Sequence, residues 1–155
     1  MEKFSRKQLI MIGAAAMIVA AALGICFYYM PANRIARQLE LGYRYLENEQ
    51  YVEAVVAFEK AIEIDAKQVP AYLGEAAAYA AMENYPNAVA VLERGYGQKP
   101  DTELENRLAE VCQEAAQYYY GRGEYDMAEE FLSRIPEALR DERYSALEQE
   151  IRIGR

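Results

Sequence analysis

One pattern is written three times in this chain, and it limits the possible folds more than any other feature. Tyr45, Tyr51, Ala54, Phe58 and Ala61 recur as Tyr79, Tyr85, Ala88, Leu92 and Gly95, each 34 residues further on. Tyr119, Tyr125, Ala128 and Leu132 write the pattern again after an insertion of six residues. A fixed period of about 20–50 residues belongs to stacked supersecondary units, none of which buries its apolar face alone. Within each copy the apolar spacing is three and four, so each unit reads as a pair of helices.

Helical periodicity begins near Asn33, with Ile35, Leu39, Gly42, Tyr45 and Leu46 on one side. Glu47-Asn48-Glu49-Gln50 reads as the turn, and Tyr51, Ala54, Val55, Phe58, Ala61 and Ile62 form the apolar stripe of the next helix. The second hairpin is predicted over Ala71–Met82 and Tyr85–Gly95, with Pro86 in a first turn where its missing N–H costs nothing. The third opens on Thr102-Glu103-Leu104-Glu105, which reads as a capping box with Thr102 as the N-cap. Its first helix should run to about Tyr120 and turn at Gly121-Arg122-Gly123. Pro136 should end its second helix. A single last helix is expected from Glu137 to about Ile153, with Leu139, Tyr144, Leu147 and Ile151 on a narrow stripe and a charged outer face suited to a terminal cap. The expected fold is all-α, with a repeat domain over 33–153, repeats over about 35–68, 69–102 and 103–136, and a capping helix over 137–153.

Ahead of the repeats lies a different kind of segment. Leu9 to Met30 carry no charge and no strongly polar side chain. About 20 such residues suffice to cross a bilayer as a helix. Tyr28 and Tyr29 stand at its end, where amphipathic rings favour the headgroup region. The reading is a basic tail over residues 1–7 and an uncleaved transmembrane signal anchor over residues 8–30. Ala22-Leu23-Gly24 has the form of a signal-peptide cleavage site, but Ile25 to Met30 continue the apolar run where a polar region would follow. Leu23-Gly24-Ile25-Cys26 resembles a lipobox only loosely, because Ile25 is large. Lys3, Arg6 and Lys7 before the segment balance Arg34, Arg37 and Arg44 after it. The short basic tail favours a cytoplasmic N-terminus and an extracytoplasmic repeat domain. Ala16, Ala20 and Gly24 form a small-residue stripe that would let a second membrane helix approach closely.

After residue 30 the net charge is −10. That argues against nucleic acid, which requires a basic footprint. Without histidine the chain lacks the commonest general base and transition-metal ligand. Cys26 and Cys112 are too few for a disulfide framework, and Cys112 reads as a small buried hydrophobe. Carboxylate pairs such as Glu59 with Glu63 and Glu110 with Glu114 read as solvated surface. No nucleophile–base pair, phosphate loop or metal set is present, so no catalytic residue, cofactor or metal is expected.

The repeat resembles the tetratricopeptide repeat. The resemblance rests on Gly42, Tyr45, Ala54, Phe58 and Ala61 in the first unit, on Ala76, Tyr79, Ala88, Leu92, Gly95 and Pro100 in the second, and on Ala116, Tyr119, Ala128 and Leu132 in the third. Ile135 and Arg140 depart from the pattern where Ala and Pro belong. It implies a short α-solenoid of three hairpins that holds a protein segment, peptide or helix, in the concave groove formed by the first helix of each hairpin. Mapped onto this chain, that groove is Ala36, Leu39, Tyr43, Leu46 and Glu47; then Leu73, Ala77, Ala80 and Ala81; then Gln113, Gln117 and Tyr120. Glu47 and Glu75 stand where the family's carboxylate clamp would need Lys, Arg and Asn, so capture of a peptide C-terminus is not expected. The function expected is a membrane-anchored adaptor for a protein partner. The alternative is a structural protein that self-assembles through span and repeats.

Overall fold

The computed structural model describes residues 6–154, without the side chains of 8–10, 28 and 29. Lys3 and most of the basic tail, with the rings of Tyr28 and Tyr29, therefore lie outside the described residues. The order is α1 (Arg6–Tyr29), α2 (Pro31–Glu47), α3 (Tyr51–Ile64), α4 (Val69–Ala81), α5 (Tyr85–Gln98), α6 (Thr102–Gly121), α7 (Tyr125–Ser133), a 3₁₀ turn (Glu137–Leu139) and α8 (Glu142–Gly154). The described residues contain no strand. Helices α2–α3, α4–α5 and α6–α7 form three hairpins, and α8 packs on α6 and α7.

Each hairpin turns by the same device. The amides of Gln50, Asn84 and Glu124 donate to the carbonyls of Tyr45, Tyr79 and Tyr119 at 2.8–2.9 Å. The amides of Glu49, Glu83 and Gly123 donate to Leu46, Ala80 and Tyr120. This is the Schellman closure, which satisfies the orphan carbonyls of a helix end. Its left-handed residue is Glu49 (φ 59°), Glu83 (φ 57°) and Gly123 (φ 77°). Only the third turn gives that conformation to glycine, the residue that adopts it without a Cβ penalty.

The small residues of the repeat mark close approach. The Phe58 ring, fully buried, lies on the backbone of Gly42 and Gly74 at once. A Cβ added at Gly42 would stand 2.7 Å from that ring, and one at Gly74 2.3 Å. Phe58 thus closes α3 against both α2 and α4. Tyr72 rests on Gly95 in the same manner, where a Cβ would meet its Cγ at 2.7 Å, and its hydroxyl donates to the Ala66 carbonyl at 3.0 Å. The core falls into two clusters. One surrounds Phe58 in the first hairpin, and a larger one runs from Val69 to Ile151; Ile62 and Tyr79 pack against both. Cys112 is fully buried in the larger cluster, where desolvation pushes its thiol up to about 12.

Two expectations need correction. Asp101, not Thr102, caps α6: Asp101 is extended and its Oδ1 accepts the Glu103 amide at 3.0 Å, while Thr102 is already helical. The last helix is broken. Pro136 leads into a single 3₁₀ turn, Arg140 is extended, and a new helix starts where Asp141 Oδ1 accepts the Tyr144 amide at 2.9 Å. The second Asx cap ends what the periodicity joined.

Helix α1 behaves differently from the rest. Its described side chains are exposed, including Met11, Met17, Ile18 and Leu23, and among the described residues its packing is on α2. Ala16 and Ala20 are exposed with it, and a Cβ at Gly24 would meet nothing within 4 Å. Among the described residues no single helix is long and apolar enough to cross a membrane. Met11–Phe27 and Pro31–Glu47, bent by 59° at the break between them, pass that test as a pair by length and composition.

Candidate functional site: the face of the first helices

The first helices of the hairpins, α2, α4 and α6, lie side by side, with α4 touching both neighbours. The twelve residues expected to form a groove lie on these three helices. Ala36, Glu47, Ala81 and Gln117 are exposed. Leu39 and Leu46 are half-buried against the first core cluster, and Leu73 and Ala80 against the larger one. Ala77 is half-buried between them along the same helix.

Two predicted contact residues are already engaged. Tyr43 is 42 % exposed, yet its ring meets Phe58 edge-on, with centroids 5.1 Å apart, and its hydroxyl donates to the Pro70 carbonyl at 3.1 Å. It ties α2 to the start of α4 and holds the width of the groove. Tyr120 tilts against Tyr125 of α7, with centroids 5.8 Å apart, and packs on the larger core. Neither ring stands free as a contact residue. Gln113 is also committed, because its Nε2 donates to Asp141 Oδ1 at 3.1 Å and ties α6 to the segment leading into α8.

Glu75 is not a groove residue. It is 1 % exposed and faces α5, where its Oε2 accepts from Arg94 Nη2 at 2.8 Å. Arg94 in turn lies over the Tyr72 ring, 5.5 Å from its centroid. Desolvation raises the Glu75 carboxyl to about 7, with Arg94 opposing and Glu59 of α3 adding to the rise.

Between α4 and α6 this face carries an open cleft of about 510 Å³ lined by Leu73, Glu103, Asn106, Arg107 and Glu110. Of these only Leu73 was read from the sequence as a groove residue. The others follow from one physical fact. Helix α6 has 20 residues against 13 in α4, and its extra length is at the N-terminus. Extending the Gln113–Gln117 stripe backwards by four and three residues gives Glu110, Asn106 and Glu103. Arg107 Nη1 donates to both Glu110 at 3.0 Å and Glu114 at 3.2 Å, which fixes the lip of the cleft. A second recess of about 200 Å³ continues it toward Leu139, Asp141 and Arg143. The described residues contain no cluster of three or more metal-ligating side chains.

Residues 45–110 match the family model described as tetratricopeptide repeat. Over 83 residues the chain is 36% identical to a protein described as "Protein SGT1 homolog" from Oryza sativa subsp. japonica. That stretch is 54% of this chain and 21% of the relative, so the chain spans about a fifth of the curated relative's length. Repeats of this family serve protein–protein interaction.

Proposed function

We propose that this chain, a tetratricopeptide-repeat protein, is a membrane-anchored adaptor that holds a protein segment along the face of α2, α4 and α6. The observation that carries the reading is the cleft between α4 and α6, with Leu73 at its floor and polar side chains from the extended α6 at its edge. It has the form of a recognition surface: an apolar floor supplies burial, and placed polar groups supply orientation. The anchor is α1, whose apolar side chains are exposed among the described residues. Exposed apolar surface on that scale marks a membrane or protein contact. In this reading the N-terminus is cytoplasmic and the repeats are extracytoplasmic.

A photocrosslinking residue introduced singly into the full chain in membranes tests the proposal. Positions Ala77 and Gln117 sample the groove, and Val56 and Lys60 sample the exposed back of α3. Crosslinks to a foreign protein from the groove positions alone are expected. Links to foreign proteins from the back of α3 alone would move the site there. The exposed Ala16, Ala20 and Gly24 stripe favours the second reading, self-assembly through the span, and links only between copies at all positions would establish it. A reporter fused after Arg155 checks the orientation and should be active only outside the cytoplasm.

A further inference from the structure

Resting on the adaptor reading, we infer that the α4–α6 cleft takes an extended, positively charged segment of a partner, with an apolar residue of that segment seated on Leu73 between two of its cations. The lining of the cleft states the charge. Glu103 and Glu110 face it from α6, with Glu114 one turn on. Arg107 is the one cation in the lining, and its guanidinium already bonds to both Glu110 and Glu114. One cation stands against two carboxylates in the lining, and Glu114 beside them adds a third, so the cleft is negative. The field of Glu103 extends across the groove, since together with burial it raises the Tyr43 hydroxyl.

The shape follows from the lining and the helix faces beside it. Leu73 is the apolar residue of the lining, and Ala77, one turn on along α4, is half-buried like it. The Glu103–Asn106–Glu110 stripe of α6 forms one wall, and across α4 from it Tyr43 is held by the Pro70 carbonyl. Side chains of an extended segment alternate faces, so cations reaching the α6 wall leave the residues between them free to reach the floor. A phosphate-bearing or acidic ligand is repelled by this field, and a wholly apolar helix would bury the Glu103 carboxylate away from water. Arg6 and Lys7 of the same copy do not serve, because the 24 residues of α1 set them about 36 Å along that helix from its junction with α2.

The test uses the full chain in nanodiscs of zwitterionic lipid. The probe is a labelled peptide of about eight residues in which lysines flank a single leucine; its twin carries glutamates. Fluorescence anisotropy should show binding of the lysine peptide, weakening as salt is raised, and no binding of the twin. The double variant Glu103→Lys/Glu110→Lys should weaken binding at least tenfold. Glu59→Lys/Glu63→Lys, the same charge change on α3, should weaken it no more than twofold. Replacing the peptide's leucine by serine should cost several-fold in the parent chain and nothing in Leu73→Ser. Should the first double variant lose its helical signal, Glu103→Gln/Glu110→Gln takes its place with a smaller loss expected. Equal weakening by the two reversals, or equal binding of the glutamate twin, overturns the inference. If Ala77 and Gln117 crosslink a partner while the lysine peptide fails to bind, the groove stands as the site and its basic ligand does not. If neither occurs, both readings fall.

Discussion

The first two hairpins meet on glycine, and the second and third meet on tyrosine. At the first junction one fully buried ring, Phe58, sits on two backbones at distances that admit no Cβ. At the second, Tyr119 stacks on Phe131 with centroids 5.4 Å apart and planes 6° off parallel, while Tyr85 and Tyr118 meet it edge-on and tilt against each other, and Arg122 covers Tyr118. Those three tyrosines are half-buried. A socket cut into backbone can be filled by one side chain only. A stack of rings with solvent at its edge has slack, and can lose or gain an atom by sliding. One repeat pattern thus yields one rigid and one tolerant interface.

The largest test of that contrast is Phe58→Ala, which empties the socket. It should cost about 3–5 kcal/mol in denaturant melts of the full chain in micelles, whereas Tyr119→Ala, half-exposed, should cost about 1–2 kcal/mol. Equal losses would remove the distinction between the junctions.

The pH dependence of Glu75 comes next, because this residue sits where α3, α4 and α5 meet. Its folded carboxyl, raised from 4.5 to about 7, binds its proton more tightly than in the unfolded chain. Between about pH 4.5 and pH 7 the folded state therefore holds more protons, and stability falls as pH rises, by roughly 2–3 kcal/mol over the window. Glu75→Gln should flatten that slope; an unchanged slope would place its origin elsewhere. Asp65 and Asp141, held low by backbone amides, act with the opposite sign and lose their contribution only as pH falls below about 3.8.

Gly74→Ala sharpens the comparison at a single methyl. The Phe58 ring 2.3 Å from the new Cβ should make it cost about 1–3 kcal/mol net of the gain in helix propensity. Gly97→Ala, in a helix with nothing within 4 Å, should stabilise by roughly 0.5–1 kcal/mol, and matching signs in thermal melts would contradict the socket. The smallest expected effect is in the turns. Glu83→Gly relieves a left-handed Cβ and should gain up to about 1 kcal/mol, whereas Gly123→Ala should lose about as much.

Much of this fold was legible because the repeat carries its own punctuation. The Tyr–turn–Tyr spacing located all three Schellman closures, although two of their left-handed residues are glutamates that no turn rule selects. What escaped the sequence was geometry across helices. Gly74 does not stand out in a run of alanines until Phe58 is seen lying on it. Asp101 and Thr102 are both good caps, and only the extended backbone at Asp101 decides between them. Pro136 signalled an end, but nothing before Asp141 signalled a fresh start. Of the cleft between α4 and α6 the sequence marked Leu73 and not the α6 wall. The insertion reads in sequence as a longer helix, and only its placement at the N-terminus brings Glu103 and Asn106 opposite Leu73. Tyr43 carried no sign of its bond to Pro70, 27 residues away.

The Phe58 socket also sets the order in which the stack comes apart. Phe58 cannot leave without uncovering both Gly42 and Gly74, so α2, α3 and α4 open together or not at all. Amide exchange should show these three helices sharing one opening free energy, while α8, joined through an irregular turn and the narrow stripe of Tyr144, Leu147 and Ile151, frays on its own. Tension applied through a ligand on α6 would then consume the C-terminal end of the array first. The hairpin beside α1 would be the last to yield.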